Sequence, residues 1–129
     1  MSNARWKLRT LAVVLLFAGG CGGSTSTSKS YDHFVAAAKA LETGDKETAF
    51  QELSATIEKS PSDWAYFERG RLSAEQGRDE EAAADVQNGL KLNPNNPNLK
   101  WLETELTKPA NQRFQGKFAN PPGLRKNQR

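Results

Sequence analysis

The chain has little of what enzymes usually need. Among 129 residues there is one cysteine, Cys21, and one histidine, His33. A lone cysteine excludes an internal disulfide. No spacing of His, Cys, Asp or Glu builds a metal site, and neither a phosphate-cradling glycine loop nor a nucleophile elbow is present. Glu80 and Glu81 are sequence neighbours. They point in different directions on a helix, so they cannot work as a paired acid and base. The expectation is a protein that is not an enzyme and needs no cofactor or metal. Long apolar runs are missing too: Leu11 to Ala18 is eight residues, against the roughly 20 that a membrane-spanning helix requires. The first ten residues hold no acid but carry Arg5, Lys7 and Arg9. Without that segment 15 bases face 15 acids, so the apparent basicity of the whole chain does not point to nucleic acid. The length allows one small domain.

What is present begins with a leader. Three bases, the apolar run Leu11–Ala18, then Gly19 and Gly20 before Cys21, have the order of a secretory signal. The stretch Phe17-Ala18-Gly19-Gly20-Cys21 resembles the lipobox of bacterial lipoproteins. An ordinary signal peptide followed by a stray cysteine is the alternative. The resemblance implies removal of residues 1–20 and acylation of Cys21, which would anchor the mature chain to a membrane, since two or more acyl chains hold stably. Gly22 follows the cysteine where an inner-membrane retention signal would place Asp, so the expected site is the cell envelope, with the outer membrane facing the periplasm favoured in a diderm bacterium. Gly22 to Ser30 is Gly, Ser and Thr with one Lys. Residues 21–30 therefore read as the lipidated end and a flexible tether, whose nine residues after the cysteine reach about 15 to 18 Å.

From Tyr31 the chain repeats itself at an offset of 33 residues. Phe34 matches Phe67, Glu42 matches Glu75, Gly44 matches Gly77, Glu47 matches Glu80, Ala49 matches Ala82 and Pro61 matches Pro94. Conservative pairs fall in the same frame, among them Tyr31 with Trp64, Leu53 with Val86 and Ile57 with Leu90. Such self-similarity marks a structural repeat. Phe34, Ala37, Ala38 and Leu41 have helical spacing, as do Trp64, Phe67, Arg71 and Ala74. Gly44 and Gly77 stop the first helix of each copy. Asp45 caps the second helix of the first copy, Asp79 assists its counterpart through the helix dipole, and Pro61 and Pro94 close each unit.

A helix, a turn at Gly, a second helix and a Pro exit in about 34 residues resembles the tetratricopeptide repeat (TPR). The resemblance is carried by Tyr66, Gly70, Gly77, Ala82, Leu90 and Pro94, and by Ala37, Gly44, Ala49, Ile57 and Pro61, over Ser30–Asn96. Arg69 and Gly89 stand where the family favours Leu and Ala. Asn96 and Pro97 start a fifth helix over residues 97–107, with Leu99, Leu102 and Leu106 on one face, and this helix caps the open end of the stack. The expected fold is all-α, a short α-solenoid of two TPR hairpins and a C-terminal capping helix spanning residues 31–107.

The resemblance implies a concave groove lined by the first helix of each unit: Tyr31, Phe34, Ala38 and Leu41, then Trp64, Phe67, Arg71 and Ala74, with Trp101 and Glu105 continuing it on the cap. Phe34 and Phe67 are expected to pack between helices, whereas Tyr31, Trp64, Arg71 and Trp101 are the better candidates for contact, aromatic side chains and Arg being enriched at binding hot spots. The implied role is a membrane-anchored interaction or scaffold module that takes an envelope protein or peptide. Residues 30–106 hold all 15 acids and eight bases, whereas residues 107–129 hold six bases and no acid. Residues 108–129 are too poor in apolar side chains to fold alone; they read as a basic disordered tail that is inert, folds back on the acidic repeats, or binds anionic lipid or cell-wall polymer. In that last case the repeats are a spacer. Two units and a cap bury little surface, which favours stabilisation by a partner or by homo-oligomer formation.

Overall fold

The computed structural model describes residues 26–127, and every regular element among them is helical. Five α-helices run in order: α1 (Ser26–Thr43), α2 (Lys46–Lys59), α3 (Asp63–Glu75), α4 (Asp79–Leu92) and α5 (Pro97–Leu106). Short 3-10 turns follow at Ala110–Gln112, Gly116–Phe118 and Pro122–Asn127. Each helix packs on the next in sequence, and α5 also touches α3. The result is a short solenoid of two helical hairpins closed by a fifth helix.

The repeat register is visible in the backbone. α2 and α4 are both 14 residues long, and their bounds are displaced by the same 33 residues as the sequence matches. Gly44 and Gly77 take φ of 75° and 74°, a left-handed conformation that costs glycine nothing and ends α1 and α3. Asp45 accepts from the Thr48 N–H at 3.1 Å and caps α2. Arg78 offers no such bond at the start of α4, where Asp79, Glu80 and Glu81 fill the first turn and suit the positive end of the helix dipole. Ser62 caps α3 through the Ala65 N–H, and Asn96 caps α5 through the Asn98 and Leu99 N–H groups. The Asp63 carboxylate accepts from the amides of Asn93 (2.7 Å) and Asn96 (2.9 Å), so the start of α3 is tied to the entry of α5.

Two apolar clusters hold the stack. Ala37, Ala40, Ala49, Leu53, Ala65 and Leu72 join the first hairpin to α3. Phe67, Ala74, Ala82, Val86, Leu99, Trp101 and Leu102 join the second hairpin to α5. Leu53, Leu72, Leu99 and Leu102 are fully enclosed, each worth about 1.5–3 kcal/mol relative to exposure. α3 belongs to both clusters, which explains its buried residues on several faces. At Gly89 a Cβ would stand 2.7 Å from the Leu99 Cδ1; the missing side chain lets α5 seat closely on α4, so the departure from the family's Ala is a notch for the cap.

Two expectations change. The tether ends sooner than composition suggests, because α1 already begins at Ser26. Ser and Thr are tolerated in a helix when the segment beyond them is anchored by packing, as α1 is through Ala37 and Ala40. Residues 108–127 are not an extended disordered tail: they turn back along α5, as described next. Residues 1–25, and with them the leader, Cys21 and the first part of the tether, lie outside the described residues.

Candidate interaction surface

α1, α3 and α5 deliver the residues expected to line the groove, and the structure sorts them into two groups. Phe34 of α1 meets Trp64 of α3 with ring centroids 4.5 Å apart. Phe67 of α3 meets Trp101 of α5 at 6.4 Å, and Trp101 in turn meets Phe114 at 5.6 Å. The first group is open: Tyr31 is 67% exposed, Phe34 39% and the adjacent Val35 45%. The second is closed, with Phe67 and Trp101 both buried. Trp101, expected to contact a partner, is thus a core residue. Glu105, expected to extend the same surface, is buried as well. Arg71 follows both groups along α3, half-buried and held by Glu68 at 3.0 Å and Glu75 at 3.4 Å.

The C-terminal segment closes the second group. The Arg113 guanidinium donates to both carboxylate oxygens of Asp79, at 2.6 and 2.8 Å, and its Nε donates to the Lys108 carbonyl. The buried Glu105 carboxylate accepts from the Phe114 N–H at 2.9 Å and from the Lys108 ammonium. Phe114 takes φ of 56°, a conformation that a bulky residue adopts only when its surroundings impose it; here the bond to Glu105 and the Trp101 ring do so. Further on, Pro121 is buried and the Gly123 N–H donates to the Asn98 Oδ1 at 3.0 Å. Low apolar content argues against independent folding, but this strap needs only one ring, one guanidinium and a helix that offers Trp101 and Glu105. The paired charges leave a titration signature. Hydrogen bonds from Arg113 hold the Asp79 carboxyl below the usual Asp value and raise Arg113, while the Asn96 and Asn93 amides lower Asp63.

Between the ends of α1 and α3 and the start of α2 lies a cleft of about 180 Å³, lined by Ala40, Leu41, Gly44, Lys46, Arg71, Leu72 and Glu75. Its floor is apolar and its rim is an ion pair, Lys46 to Glu75 at 2.7 Å. Behind the surface Arg69 links the hairpins: it holds Asp85 through two bonds of 2.9 and 2.7 Å and donates to Ser54 Oγ at 3.2 Å. This bridge escapes a reading of Arg69 as a departure from Leu; its only signal in the sequence is the matching acid 16 residues on. His33 is half-exposed, with its Nδ1 2.7 Å from the Glu52 carboxylate. Among the described residues no three His, Cys, Asp or Glu side chains gather to hold a metal ion, and no helix there is long and apolar enough to cross a membrane.

Among curated proteins the chain is similar to the chicken (Gallus gallus) DnaJ homolog subfamily C member 3. The two are 37% identical over 68 residues, which is 53% of this chain and 14% of that protein. The matched length is that of two repeat units, and the chain spans only a small part of its relative. No protein-family profile matches the chain, and no solved structure matches it.

Proposed function

We propose that the chain is a tetratricopeptide-type interaction module, tethered to a bacterial envelope membrane by acylated Cys21, that holds an envelope protein or peptide on the open half of its first-helix surface. One observation carries this reading: the strap fills the surface at Trp101 and leaves Trp64, Arg71 and the cleft beside Arg71 uncovered. Trp64, half-buried, and Arg71 lie on the same helix, and aromatic side chains and Arg suit a contact that buries much area at low entropy cost. The likeness of a 68-residue stretch to a DnaJ homolog supports a protein partner, and the Phe17–Cys21 stretch supports the anchor. The reading is non-catalytic and assigns no cofactor.

The spacer reading, with a basic arm bound to lipid or cell wall, is the alternative, and it would have to use the tail bases other than Lys108 and Arg113. Lys108 and Arg113 spend their charges on Glu105 and Asp79, so they are not offered to an external polyanion. Affinity capture from detergent-solubilised envelopes separates the readings. Trp64→Ala with Arg71→Ala should abolish recovery of a specific protein while the circular dichroism stays helical. Full recovery by this variant, with loss on deleting residues 109–129, would return the contact to the tail.

A further inference from the structure

We infer that the exposed face of α1 formed by Tyr31, Phe34 and Val35 is a membrane-contact surface that lies on the phospholipid bilayer carrying the anchor. This rests on the lipid-anchored reading of Cys21. The three side chains fall within about 100° of one another around the helix, and all three are substantially exposed. They occupy the helix that the tether enters, and the tether is short. Only residues 22–25 separate Cys21 from the first residue of α1, against the nine residues of a tether running to Ser30. Five residue steps reach about 18 Å when taut, and Tyr31 lies about 7.5 Å farther along the helix axis. The face therefore stays within about 25 Å of the anchored cysteine. At such proximity a weak surface contact becomes an intramolecular event with a high effective concentration.

The chemistry of the face fits an interface. Tyr31 has the kind of ring with a polar edge that concentrates at headgroup level, and an apolar helix face such as Phe34 and Val35 extend can sink about 5–10 Å into that layer. The exposed charges on α1 are Lys29, Asp32, Lys39 and Glu42, two of each sign, so burial of apolar area rather than attraction to anionic lipid drives the contact. It should then persist at high salt, unlike a contact between charges.

The test uses the processed full chain, purified in detergent and reconstituted into vesicles of phosphatidylethanolamine and phosphatidylglycerol. Mass spectrometry first reads Cys21; an unmodified thiol removes the anchor and overturns the inference together with the reading it rests on. With Cys21 acylated, a nitroxide is placed by Val35→Cys or, separately, Leu92→Cys, the latter an exposed apolar position at the far end of α4. The expected result is a severalfold higher ratio of oxygen to nickel-chelate accessibility at position 35 than at position 92, unchanged in high salt. Equal, water-like ratios would overturn the inference alone. A second arm labels Lys39→Cys and compares the parent with Tyr31→Ser, Phe34→Ser and Val35→Ser combined. The label should move from interface to water while the helical dichroism is kept. If that variant keeps its bilayer contact but loses a captured protein, the face belongs to a protein interface and the proposal fails.

Discussion

Phe34 and Phe67 occupy the same place in successive units, yet the first is 39% exposed and the second 3%. Their side chains, their helical spacing and their turn signals match, so the difference comes from neighbours. α3 is flanked by α2, α4 and α5, and its second cluster is sealed by the strap. α1 has the first hairpin on one side and nothing described on the other. In a solenoid the fate of a repeat position is set by which copy it belongs to, because each unit buries its apolar face only against the next.

The sharpest way to break this comparison is to remove both rings in turn. Phe67→Ala should cost about 3–5 kcal/mol, the range for emptying an aromatic core site. Phe34→Ala should cost about 1 kcal/mol, the scale of a ring pair such as that with Trp64. Urea unfolding of the two variants decides, and equal losses would refute the asymmetry.

Next comes the ion pair that joins α3 to α4 inside the second hairpin. Arg69→Ala strands the buried Asp85 carboxylate and should cost about 3 kcal/mol. Combining Arg69→Leu with Asp85→Ala should recover much of this in the same assay, since removing both charges avoids the unpaired one.

A smaller effect tests the strap. Arg113→Ala should lower stability by about 1–2 kcal/mol, the scale of a charge-assisted bond. Hydrogen exchange should quicken in α5 and the start of α4 but not in α1 and α2; faster exchange throughout would mean that the strap supports both halves equally. The mildest perturbation is acid. Asp79 and Asp63 are both held below the ordinary Asp value of 3.8 in the fold, so their contribution is complete above that value and fades as pH falls through the lower folded values. Near-ultraviolet dichroism of Trp101 should therefore stay constant from neutral pH down to about 4 and decline below it.

Much of the scaffold could be read directly from the residues. Gly44, Gly77, Asp45, Pro61 and Pro94 act through local backbone chemistry, and local rules see them. The solenoid and its fifth helix followed from the 33-residue register and the Asn96–Pro97 start. The candidate surface was less legible. Trp101 lies off the Leu99, Leu102 and Leu106 stripe, and nothing local says that Phe114 returns to cover it. Composition judged the tail by what it could bury alone, whereas its order depends on acceptors in α4 and α5. Arg69 and Asp85 looked like unrelated departures because their meaning is a contact between helices. Ser26 to Ser30 read as a tether because Gly, Ser and Thr dominate, although α1 extends through them.

The seat of Leu99 against Gly89 also limits how such a protein could grow. The corresponding position in the first hairpin is Thr56, itself buried, so the surface that receives α3 differs from the one that receives α5. A tandem duplication of α3 and α4 would bring a copy of Tyr66, the residue in register with Leu99, to the hollow at Gly89, and would displace the segment that shields Trp101. Lengthening by simple gene duplication is therefore disfavoured next to α5, because shape at that seat is matched to Leu99 alone.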